Sequence, residues 1–375
     1  MPLLEVNNLS VQLQTQRGPA QAVRDASFSL ARGETLGLIG ESGCGKSITA
    51  LSLMGLLPDD ATVAGSIRFA GEELVNASDD AMGRLRGNRI GMIFQEPMTA
   101  LNPVHAVGHQ VAEPLRLHRG ASRNDARQQA IALMDRVGIA NAAGRFDAYP
   151  HQFSGGQRQR ITIAMALACG PDLLIADEPT TALDVTLQGQ ILDLISDLVE
   201  ERGMALILIS HDLSVIAQNA ARMIVMYGSC VVESGPTSEV FAHMAHPYTR
   251  GLFGARPKAG AARGARLATI SGSVPELIDL PQGCPFSDRC TFAVVRCLDE
   301  RPPITQIDPT NLTLQRQSEV PGQLGAGQTH TASCFRLDEV AAVTTAIAST
   351  QDAGAIEAGL APSNDPAATL ARSSP

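Results

Sequence analysis

The sequence predicts an α/β fold built on a parallel sheet, because short apolar runs alternate with helical patterns. The first apolar run, at 35–39, leads through a glycine-rich loop directly into a helical pattern at 46–57. Two more apolar runs, at 173–176 and 205–209, follow much later in the chain. Strands that alternate with helices in this way are typical of a parallel α/β sheet.

Two other regions add to this core. Residues 3–39 show short strand patterns broken by turn signals such as Gly18-Pro19, which predicts a β-rich N-terminal part. Between Pro97 and Pro171 the pattern becomes mainly helical, with amphipathic stretches around 105–118 and 123–138. We therefore expect a helical subdomain, at about 97–171, to be inserted into the α/β core.

Length, composition and charge narrow the class of protein. The chain has 375 residues, 44% of them hydrophobic, which suits one large domain with an appendage or two domains. Its net charge is −9 at pH 7 and its sequence pI is near 5.4, so no sequence-wide basic field exists that would bind nucleic acid. We therefore expect no nucleic-acid partner.

The sequence also argues against a membrane-spanning or secreted chain. No apolar run approaches the roughly 18 to 20 residues that cross a bilayer, and Glu5 lies where a secretory signal would be apolar. Of the seven cysteines, Cys44, Cys169 and Cys230 stand alone in ordinary segments, which suits a reducing compartment. We expect a soluble chain that is not exported.

The composition changes after the predicted core domain, which we place at 1–256. Residues 257–266 are mostly Gly, Ala and Arg, and they predict a linker. Residues 267–339 are rich in Pro, Gly and Cys, and they predict a small cysteine-rich domain. The tail at 340–375 is rich in Ala, Ser, Thr and Pro, so it can bury little apolar surface and is predicted to be disordered.

The glycine-rich loop between the first core strand and its helix matches the phosphate-binding pattern G-x-x-x-x-G-K-[ST]. It reads Gly40-Glu-Ser-Gly-Cys-Gly45-Lys46-Ser47 and has the strand and helix on either side that the motif requires. With this composition, roughly 0.002 matches are expected by chance, since the whole chain contains only two lysines, Lys46 and Lys258. The loop therefore predicts a nucleotide site.

Each residue type in this loop has a physical role. Glycines let successive N–H groups converge on phosphate oxygens, and the helix N-terminus adds the positive end of its dipole. Lys46 would supply a compact positive charge at the β- and γ-phosphates, and the Ser47 hydroxyl would bind Mg²⁺. The predicted nucleotide-binding residues of the loop are Gly40, Ser42, Gly43, Cys44, Gly45, Lys46 and Ser47.

Polar residues follow the two later core strands at the edge where parallel sheets place their ligands. Asp177 and Glu178 come directly after the run at 173–176, and His211 comes shortly after the run at 205–209. We expect Asp177 to hold Mg²⁺, directly or through water. We expect Glu178 to orient and deprotonate the water that attacks the γ-phosphate, and His211 to point at that phosphate.

These motifs resemble those of the ATP-binding cassette (ABC) ATPases, together with Phe153-Ser154-Gly155-Gly156-Gln157 and Ile93-Phe94-Gln95-Glu96-Pro97. The resemblance extends over 3–255. It implies a P-loop NTPase that has a RecA-like parallel-sheet core, an antiparallel β subdomain and an inserted helical subdomain. It also implies that the chain binds ATP with Mg²⁺.

The resemblance further implies a dimer. In this family the Ser-Gly-Gly-Gln segment binds the γ-phosphate of the ATP that the other subunit holds, so residues 154–157 would act in trans and each chain would carry two half-sites. Gln95 would touch Mg²⁺ and the attacking water, taking part in catalysis and relaying the nucleotide state to a membrane partner. The segment Ala182-Leu183-Asp184 would line the dimer seam.

Two features of the nucleotide site differ from the family pattern. ABC ATPases usually stack adenine on an aromatic residue of the N-terminal strand region, and residues 14–22 contain none. Cys44 stands where serine is common. As a thiol within a helix N-terminus, Cys44 is expected to have a lowered pKa, so that alkylation would block ATP binding.

Four cysteines cluster near the C-terminus, at Cys284, Cys290, Cys297 and Cys334. Four thiolates can close one zinc site or hold an iron–sulfur cluster, while disulfides are disfavoured in the cytosol. Their spacing does not match the C-x-x-C pairs of structural zinc sites. Taken alone, the cysteines leave iron–sulfur, zinc and unliganded or redox-active thiols open, in that order.

This cysteine segment, with Ala245-His-Pro-Tyr-Thr-Arg250 and Gln95-Glu-Pro-Met-Thr-Ala-Leu-Asn-Pro103, is similar to the ATPases of oligopeptide and dipeptide permeases, a subfamily that also serves nickel uptake. The resemblance implies a 4Fe–4S cluster on the four cysteines and uptake of di- and oligopeptides. It implies as partners a second, related ATPase, two membrane permeases and an extracytoplasmic solute-binding protein. It places the chain at the cytoplasmic face of a bacterial inner membrane.

Two alternative functions are weighed against peptide import. The first is import of nickel or another small solute of the same subfamily. The second is a soluble ABC ATPase that acts in DNA repair or translation. Repair types interrupt the cassette with long insertions and translation types carry two cassettes, whereas this chain has one compact cassette. The sequence therefore favours the transporter subunit.

Overall fold

The structure, a computed structural model, describes residues 1–181, 183–255, 269–307 and 329–341, without the side chain of Met98. The predicted linker at 257–266, Ala182 and the predicted tail from 342 onward lie outside the described residues. The described strands form one sheet of four and one of eight. None of the helices in the described ranges has both the length and the apolar composition needed to cross a bilayer.

The strands, in chain order, are β1 (Leu4–Thr15), β2 (Gly18–Leu30), β3 (Thr35–Ile39), β4 (Thr62–Phe69), β5 (Glu72–Glu73), β6 (Ile90–Ile93), β7 (Leu173–Asp177), β8 (Ala205–Ser210), β9 (Arg222–Tyr227), β10 (Cys230–Pro236), β11 (Ile304–Gln306) and β12 (Thr331–Ser333).

The α-helices are α1 (Lys46–Met54), α2 (Asp79–Leu85), α3 (Pro97–Ala100), α4 (Val107–Arg119), α5 (Arg123–Arg136), α6 (Ala142–Arg145), α7 (Gly155–Ala166), α8 (Val185–Arg202), α9 (Leu213–Asn219), α10 (Thr237–His243), α11 (Pro247–Gly254) and α12 (Arg296–Asp299). Short 3₁₀ turns lie at Pro150–Gln152, Leu277–Asp279 and Ser287–Arg289.

The larger sheet has a parallel centre, as the sequence predicts. Its order is β11-β12-β10-β9-β3-β8-β7-β6, and the strands from β9 to β6 run parallel. Every residue of β7 and β8 is buried, and alternate residues face opposite cores: Leu173 lies in the one that contains α1, and Leu174 in the one that contains α7 and α8. Burial of both faces explains the continuous apolar runs.

The smaller sheet is antiparallel, with the order β2-β1-β4-β5. Residues 3–30, where the sequence predicts short strands, form two long ones of 12 and 13 residues. Register shifts along the pairing of β1 with β2 interrupt the regular alternation of buried and exposed residues, which explains why the pattern resembles several short strands. Buried residues of this sheet share a core with α1 and with one face of the parallel sheet.

Helices α3–α7 lie between β6 and β7 in the chain, within the segment where the sequence predicts an inserted helical subdomain. Apolar residues of α4, α5 and α7 pack together in the same core as α8 and α9. The two amphipathic stretches around 105–118 and 123–138 correspond to α4 and α5 within two residues at each end.

The C-terminal segment extends the cassette. Strand β12 pairs antiparallel with β10, where Ser234 faces Thr331, and β11 pairs with β12. Cys284 and Cys297 belong to the same core as β9 and α11. The prediction of a small cysteine-rich domain is therefore not confirmed over the described residues. The physical reason is that so short a segment gains apolar burial by packing onto an existing core.

Candidate active site

The loop between β3 and α1 has a shape that only glycines allow. A Cβ atom at Gly40 would lie 2.2 Å from the carbonyl oxygen of Met226. Gly45 has φ +105° and leaves no room either, since a Cβ there would lie 2.4 Å from the carbonyl oxygen of Ala22. The loop backbone thus lies directly against β9 and β2, and these contacts fix its course.

Helix α1 begins at Lys46 with an uncapped end. Its N-cap residue, Gly45, has no side chain that could accept a hydrogen bond from the first turn. The first N–H groups of a helix have no partner within the helix, so here they remain available to an external acceptor. Together with the helix dipole, they form a site for an anion such as a phosphate group.

Lys46 lies inside this loop, with only 5% of its surface exposed. Its Nζ donates to the carbonyl oxygens of Gly40 (2.8 Å) and Glu41 (3.1 Å) and lies 3.7 Å from the Cys44 sulfur. Within the described part of the chain, no carboxylate forms a salt bridge with it. A buried ammonium group held only by neutral acceptors has an unmet need for negative charge, which phosphate oxygens would meet.

Asp177 ends β7 and is 5% exposed. Burial raises the pKa of its carboxyl group, while the Ser47 hydroxyl, which interacts with the same carboxylate, and the charge of Lys46 oppose this shift. Its Oδ1 is buried and has no hydrogen-bond partner. An unpartnered carboxylate oxygen beside a serine hydroxyl is a donor set that fits Mg²⁺, so the residues present suit the ion that the sequence predicts.

Glu178 has an unusual backbone conformation. Its φ is +45°, a left-handed value that a non-glycine residue adopts at a cost of order 1–3 kcal/mol. Its N–H donates to the carbonyl oxygen of Ile209 on β8 at 3.0 Å, which holds the residue in this conformation. The strain turns the chain sharply at the end of β7, next to Asp177.

Three side chains from different parts of the chain converge on one oxygen of Glu178. Gln95 Nε2 donates to Oε2 at 3.2 Å, the Thr181 hydroxyl donates to it at 2.9 Å, and His211 Nδ1 lies 3.3 Å from it. Among the described residues, no hydrogen-bond donor contacts Oε1. The carboxylate is therefore oriented through one oxygen while the other is left for a water molecule.

Sequence reasoning missed Thr181. The residue lies three positions after Glu178, and a turn in which its N–H donates to the Glu178 carbonyl at 3.1 Å brings its side chain back to the carboxylate. The signal was present in the sequence, because a threonine shortly after Glu-Pro can hydrogen-bond locally within such a turn.

The Ser154–Gln157 segment forms the start of α7 and is capped from within. Ser154 Oγ accepts a hydrogen bond from the Gln157 N–H (3.3 Å), and Gln157 Oε1 accepts one from the Ser154 N–H (3.2 Å). At Gly155 the space around a hypothetical Cβ is open, whereas at Gly156 a Cβ would lie 2.4 Å from Leu187. Asp184 in turn caps α8 by accepting from the Leu187 N–H at 3.0 Å.

The structure does not bring this segment to the phosphate loop. In the described part of the chain, residues 154–157 form no hydrogen bond with residues 40–47. The first set belongs to the helical subdomain and the second to the parallel core. The chain thus carries two separate glycine-rich helix starts, and the prediction that the second acts on a partner's nucleotide stays a prediction.

The predicted lowering of the Cys44 thiol pKa is wrong, whereas the predicted block of ATP binding by alkylation stays a prediction. Its side chain is fully buried, and burial raises the pKa of the thiol although Lys46 acts in the opposite direction. The sulfur packs beside Gly40 in the core that contains α1. Ser42 and Gly43, by contrast, are exposed on the rim of the loop.

The four C-terminal cysteines are free of disulfides and lie near one another. The Cys284 N–H donates to the Cys297 carbonyl oxygen at 2.8 Å. Burial raises the thiol pKa values of Cys284 and Cys334 to about 12, and the charges of neighbouring cysteines add to the shift. Among the described residues, no group of three or more His, Cys, Asp or Glu side chains is arranged to hold a metal ion. The predicted cluster is therefore not confirmed.

Two families match the chain. Residues 23–181 match the ABC transporter family, and residues 232–297 match the oligopeptide/dipeptide transporter C-terminal region. A peptide import ATP-binding protein, as it is named, of Brucella melitensis biotype 1 is 50% identical over 319 residues, covering 82% of this chain and 94% of that protein. The chain therefore belongs to the family of ABC-transporter ATP-binding proteins. A similarly named protein of Brucella abortus (strain 2308) is 50% identical over 302 residues, covering 80% and 91% of the two chains.

Solved structures agree with the cassette fold. The dimeric ATP-binding cassette MJ0796, in a post-hydrolysis state bound to ADP and Pi, superposes with a TM-score of 0.57 at 28% identity, covering 62% of this chain and 98% of that one. CbiO1 from Clostridium perfringens, part of an ABC transporter complex, superposes with a TM-score of 0.54 at 26% identity, covering 65% and 92%. As an ABC ATPase, the chain hydrolyses ATP.

Proposed function

We propose that this chain is the ATP-hydrolysing subunit of an importer that takes up di- and oligopeptides. The family match over 232–297 and the names of the relatives support peptides as the transported solutes. The observation that carries hydrolysis is the convergence of Gln95, Thr181 and His211 on one oxygen of Glu178. It leaves a preoriented carboxylate on the residue that follows the buried Asp177.

Binding of ATP begins at the loop. Lys46 exchanges the carbonyl oxygens of Gly40 and Glu41 for phosphate oxygens, which replaces neutral acceptors by charged ones. The free N–H groups at the start of α1 bind the same phosphates. Ser47 and Asp177 would hold Mg²⁺, which when bound offsets the negative charge of the phosphates.

Hydrolysis then depends on Glu178. Its Oε1 accepts the proton of the attacking water, while Oε2 stays hydrogen-bonded to Gln95 and Thr181. His211, 65% exposed in this structure, is free to turn toward the γ-phosphate. The contribution of these residues is mainly to position the water, as expected for phosphoryl transfer.

A second ATPase chain completes the site in this proposal. The start of α7 at 154–157 is an exposed helix N-terminus with open space at Gly155, which suits a γ-phosphate presented by a partner. Asp184 lies close by at the start of α8 and would border the seam. The partner is a homologous chain, and the pair docks on two permeases that a solute-binding protein supplies, at the cytoplasmic face of a bacterial membrane.

The test is to purify the chain with its permeases and measure ATP hydrolysis and peptide uptake in proteoliposomes. Glu178→Gln should reduce turnover by about 100-fold or more while ATP binding is retained, because the amide cannot accept the proton. Glu200→Gln, which changes an exposed glutamate on α8, is the matched control. Near-normal hydrolysis by Glu178→Gln would overturn the assignment of the base.

We further propose that Cys284, Cys290, Cys297 and Cys334 hold a 4Fe–4S cluster. Two backbone N–H groups already point at their sulfurs, from Phe292 to Cys290 (3.4 Å) and from Arg336 to Cys334 (3.3 Å). Such hydrogen bonds stabilise sulfurs that carry negative charge. Because burial raises the thiol pKa values of Cys284 and Cys334, loading a cluster must release protons.

Anaerobic purification followed by iron and acid-labile sulfide analysis tests this cluster. We expect both elements and a brown chromophore, lost in Cys297→Ser and retained in Cys169→Ser, which changes a buried cysteine far along the chain. Stoichiometric zinc without iron, or cysteines without any metal, would contradict the cluster and leave the peptide importer assignment intact.

A further inference from the structure

A cavity of about 470 Å³ opens beside the phosphate loop. Three segments line it: the tip of the N-terminal hairpin with Thr15, Gln16, Arg17 and Ala20, the loop residues Ser42 and Gly43, and the C-terminal stretch 274–278. Its volume lies within the roughly 300–1,000 Å³ that small-molecule sites occupy. The hairpin tip and the C-terminal stretch are some 260 residues apart in sequence, and only the fold brings them together.

The C-terminal stretch supplies an apolar wall to this cavity. Val274, Pro275, Leu277 and Ile278 line it and are all half-buried, so part of each side chain faces the cavity. No aromatic residue is among the lining residues in the described part of the chain. The stretch therefore offers apolar surface on one side of the cavity.

The position of the cavity identifies its occupant. Phosphates bind at the start of α1, and Ser42 and Gly43 form both the rim of that loop and one side of the cavity. The nucleoside of a bound triphosphate extends away from the phosphates and must find a place next to the loop. A partly apolar cavity with polar groups at its edge suits a flat base and its ribose.

One arginine contacts the C-terminal stretch directly, and a second links the segment just before it to the phosphate loop. Arg17, from the hairpin, reaches Glu276 (2.8 Å) and both carboxylate oxygens of Asp279 (2.7 Å each). A bidentate pair of this kind fixes orientation as well as distance. Arg289, with a side chain only 6% exposed, binds the carboxylate of Glu41 in the phosphate loop at 2.6 Å and also donates to the Ser271 carbonyl.

We propose that residues 274–278 form the wall against which the adenosine part of ATP packs, in place of an aromatic side chain, and that Arg17 positions this wall through Glu276 and Asp279. The proposal rests on the proposed function in that ATP is the substrate. It makes the C-terminal segment part of the nucleotide site. ATP binding would then be sensitive to changes in a segment that contains no phosphate-binding motif.

The test compares binding of MgATP with binding of inorganic tripolyphosphate to the full chain, because tripolyphosphate lacks the nucleoside. Leu277→Ser and Ile278→Ser should each weaken MgATP by roughly 10-fold, since they remove apolar surface from the wall. Binding of tripolyphosphate should change by less than about 2-fold. Leu298→Ser, on an exposed leucine of the same segment, is the matched control and should change neither.

Arg17→Gln should also weaken MgATP selectively, and Arg17→Lys should restore it only in part, because an ammonium group cannot form the bidentate pair. Equal losses for both ligands, or no loss for either, would overturn the proposal. Wild-type protein that binds neither ligand would instead overturn the proposed function.

Photolabelling with azido-adenine ATP gives a second test. It uses only the wild-type chain, so the result does not depend on whether the variants fold. The label should appear in a peptide containing 274–278. Labelling that is found only outside residues 274–278 would contradict the proposal that these residues contact the adenosine.

Discussion

The molecule contains two helices that begin at glycine-rich turns, α1 at the phosphate loop and α7 at Ser154, and their ends are built differently. Helix α1 has Gly45 as its N-cap and no side-chain cap. Helix α7 has a complete capping box in which Ser154 and Gln157 satisfy each other's backbone N–H groups. The first is open to an anion, and the second is closed upon itself.

The residues around the two helix starts also differ. The first residue of α1 is Lys46, a buried lysine whose ammonium group donates only to neutral acceptors. At the start of α7, Gly155 is exposed with open space around it. Helix α1 thus offers free N–H groups to a phosphate within a single chain, whereas under the proposed function α7 would exchange its own cap for a phosphate brought by a partner.

The largest expected effect on ATP affinity comes from a substitution at the uncapped start of α1. Lys46→Ala should weaken ATP binding by roughly 100-fold, because it removes the charge that the phosphates would bind. Isothermal titration with MgATP measures this, and Lys258→Ala, which changes the other lysine of the chain, serves as control. A Lys46→Ala protein with unchanged affinity would show that the open end of α1 is not the phosphate site.

The capped start of α7 predicts that a substitution there affects ATP hydrolysis but not ATP binding. Ser154→Ala should leave MgATP binding by the isolated chain unchanged within about 2-fold and lower hydrolysis by the assembled transporter by roughly 10-fold or more. It should also cost about 1 kcal/mol of stability through the lost cap. Ser122→Ala removes an equivalent cap from α5, where Ser122 Oγ accepts from the Asp125 N–H, and isolates that stability cost.

Hydrolysis equal in the Ser154→Ala and Ser122→Ala transporters would mean that α7 is only a structural helix. A loss of ATP binding by the isolated Ser154→Ala chain would mean that both ends act within one chain. Either result would break the distinction between an open and a closed end.

An arginine side chain contacts each of the two helix starts. Replacing the one beside the phosphate loop should have an intermediate effect on ATP affinity. Arg289 holds Glu41 of the phosphate loop, and Arg145 donates to Gln157 of the capping box at 3.4 Å. Arg289→Gln should weaken MgATP by roughly 10-fold and lower the melting temperature, because it leaves the Glu41 carboxylate half-buried without its partner. A thermal melt and a titration on the same sample measure both.

The double variant Glu41→Gln/Arg289→Gln tests whether the pair is the cause. It should recover part of the lost stability, since no unpaired charge remains. Arg296→Gln breaks an exposed pair with Glu300 and should cost less than about 1 kcal/mol. Additive effects of the two single changes would show that Arg289 acts through something other than Glu41.

Sequence reasoning succeeded where the determinants are local. The strands at 35–39, 173–176 and 205–209 are predictable because burial on both faces requires a continuous apolar run. The phosphate loop is predictable because the spacing of its glycines, lysine and serine is fixed. It failed where distant segments meet. The wall at 274–278 approaches the hairpin, and β12 joins β10, through contacts that no local pattern encodes.

Burial was the other source of error. From the sequence, Cys44 is a thiol at a helix N-terminus, where the dipole and Lys46 favour the thiolate. The structure adds the desolvation that the sequence does not reveal, and that effect is the larger one. Thr181 was missed for a related reason, since its role depends on a turn that follows the strained backbone of Glu178.

Cys44 gives the smallest expected effect at the open end. Because burial raises the pKa of its thiol and the side chain is fully buried, iodoacetamide at pH 7 should modify Cys44 far more slowly in the native chain than in denaturant. Cys44→Ser should keep ATP affinity within about 2-fold, since the ligand meets the backbone of the loop rather than this side chain. Residue-resolved mass spectrometry separates Cys44 from the other cysteines. Rapid modification that bound MgATP prevents would mean that the loop opens in solution and that α1 is less preformed than its contacts indicate.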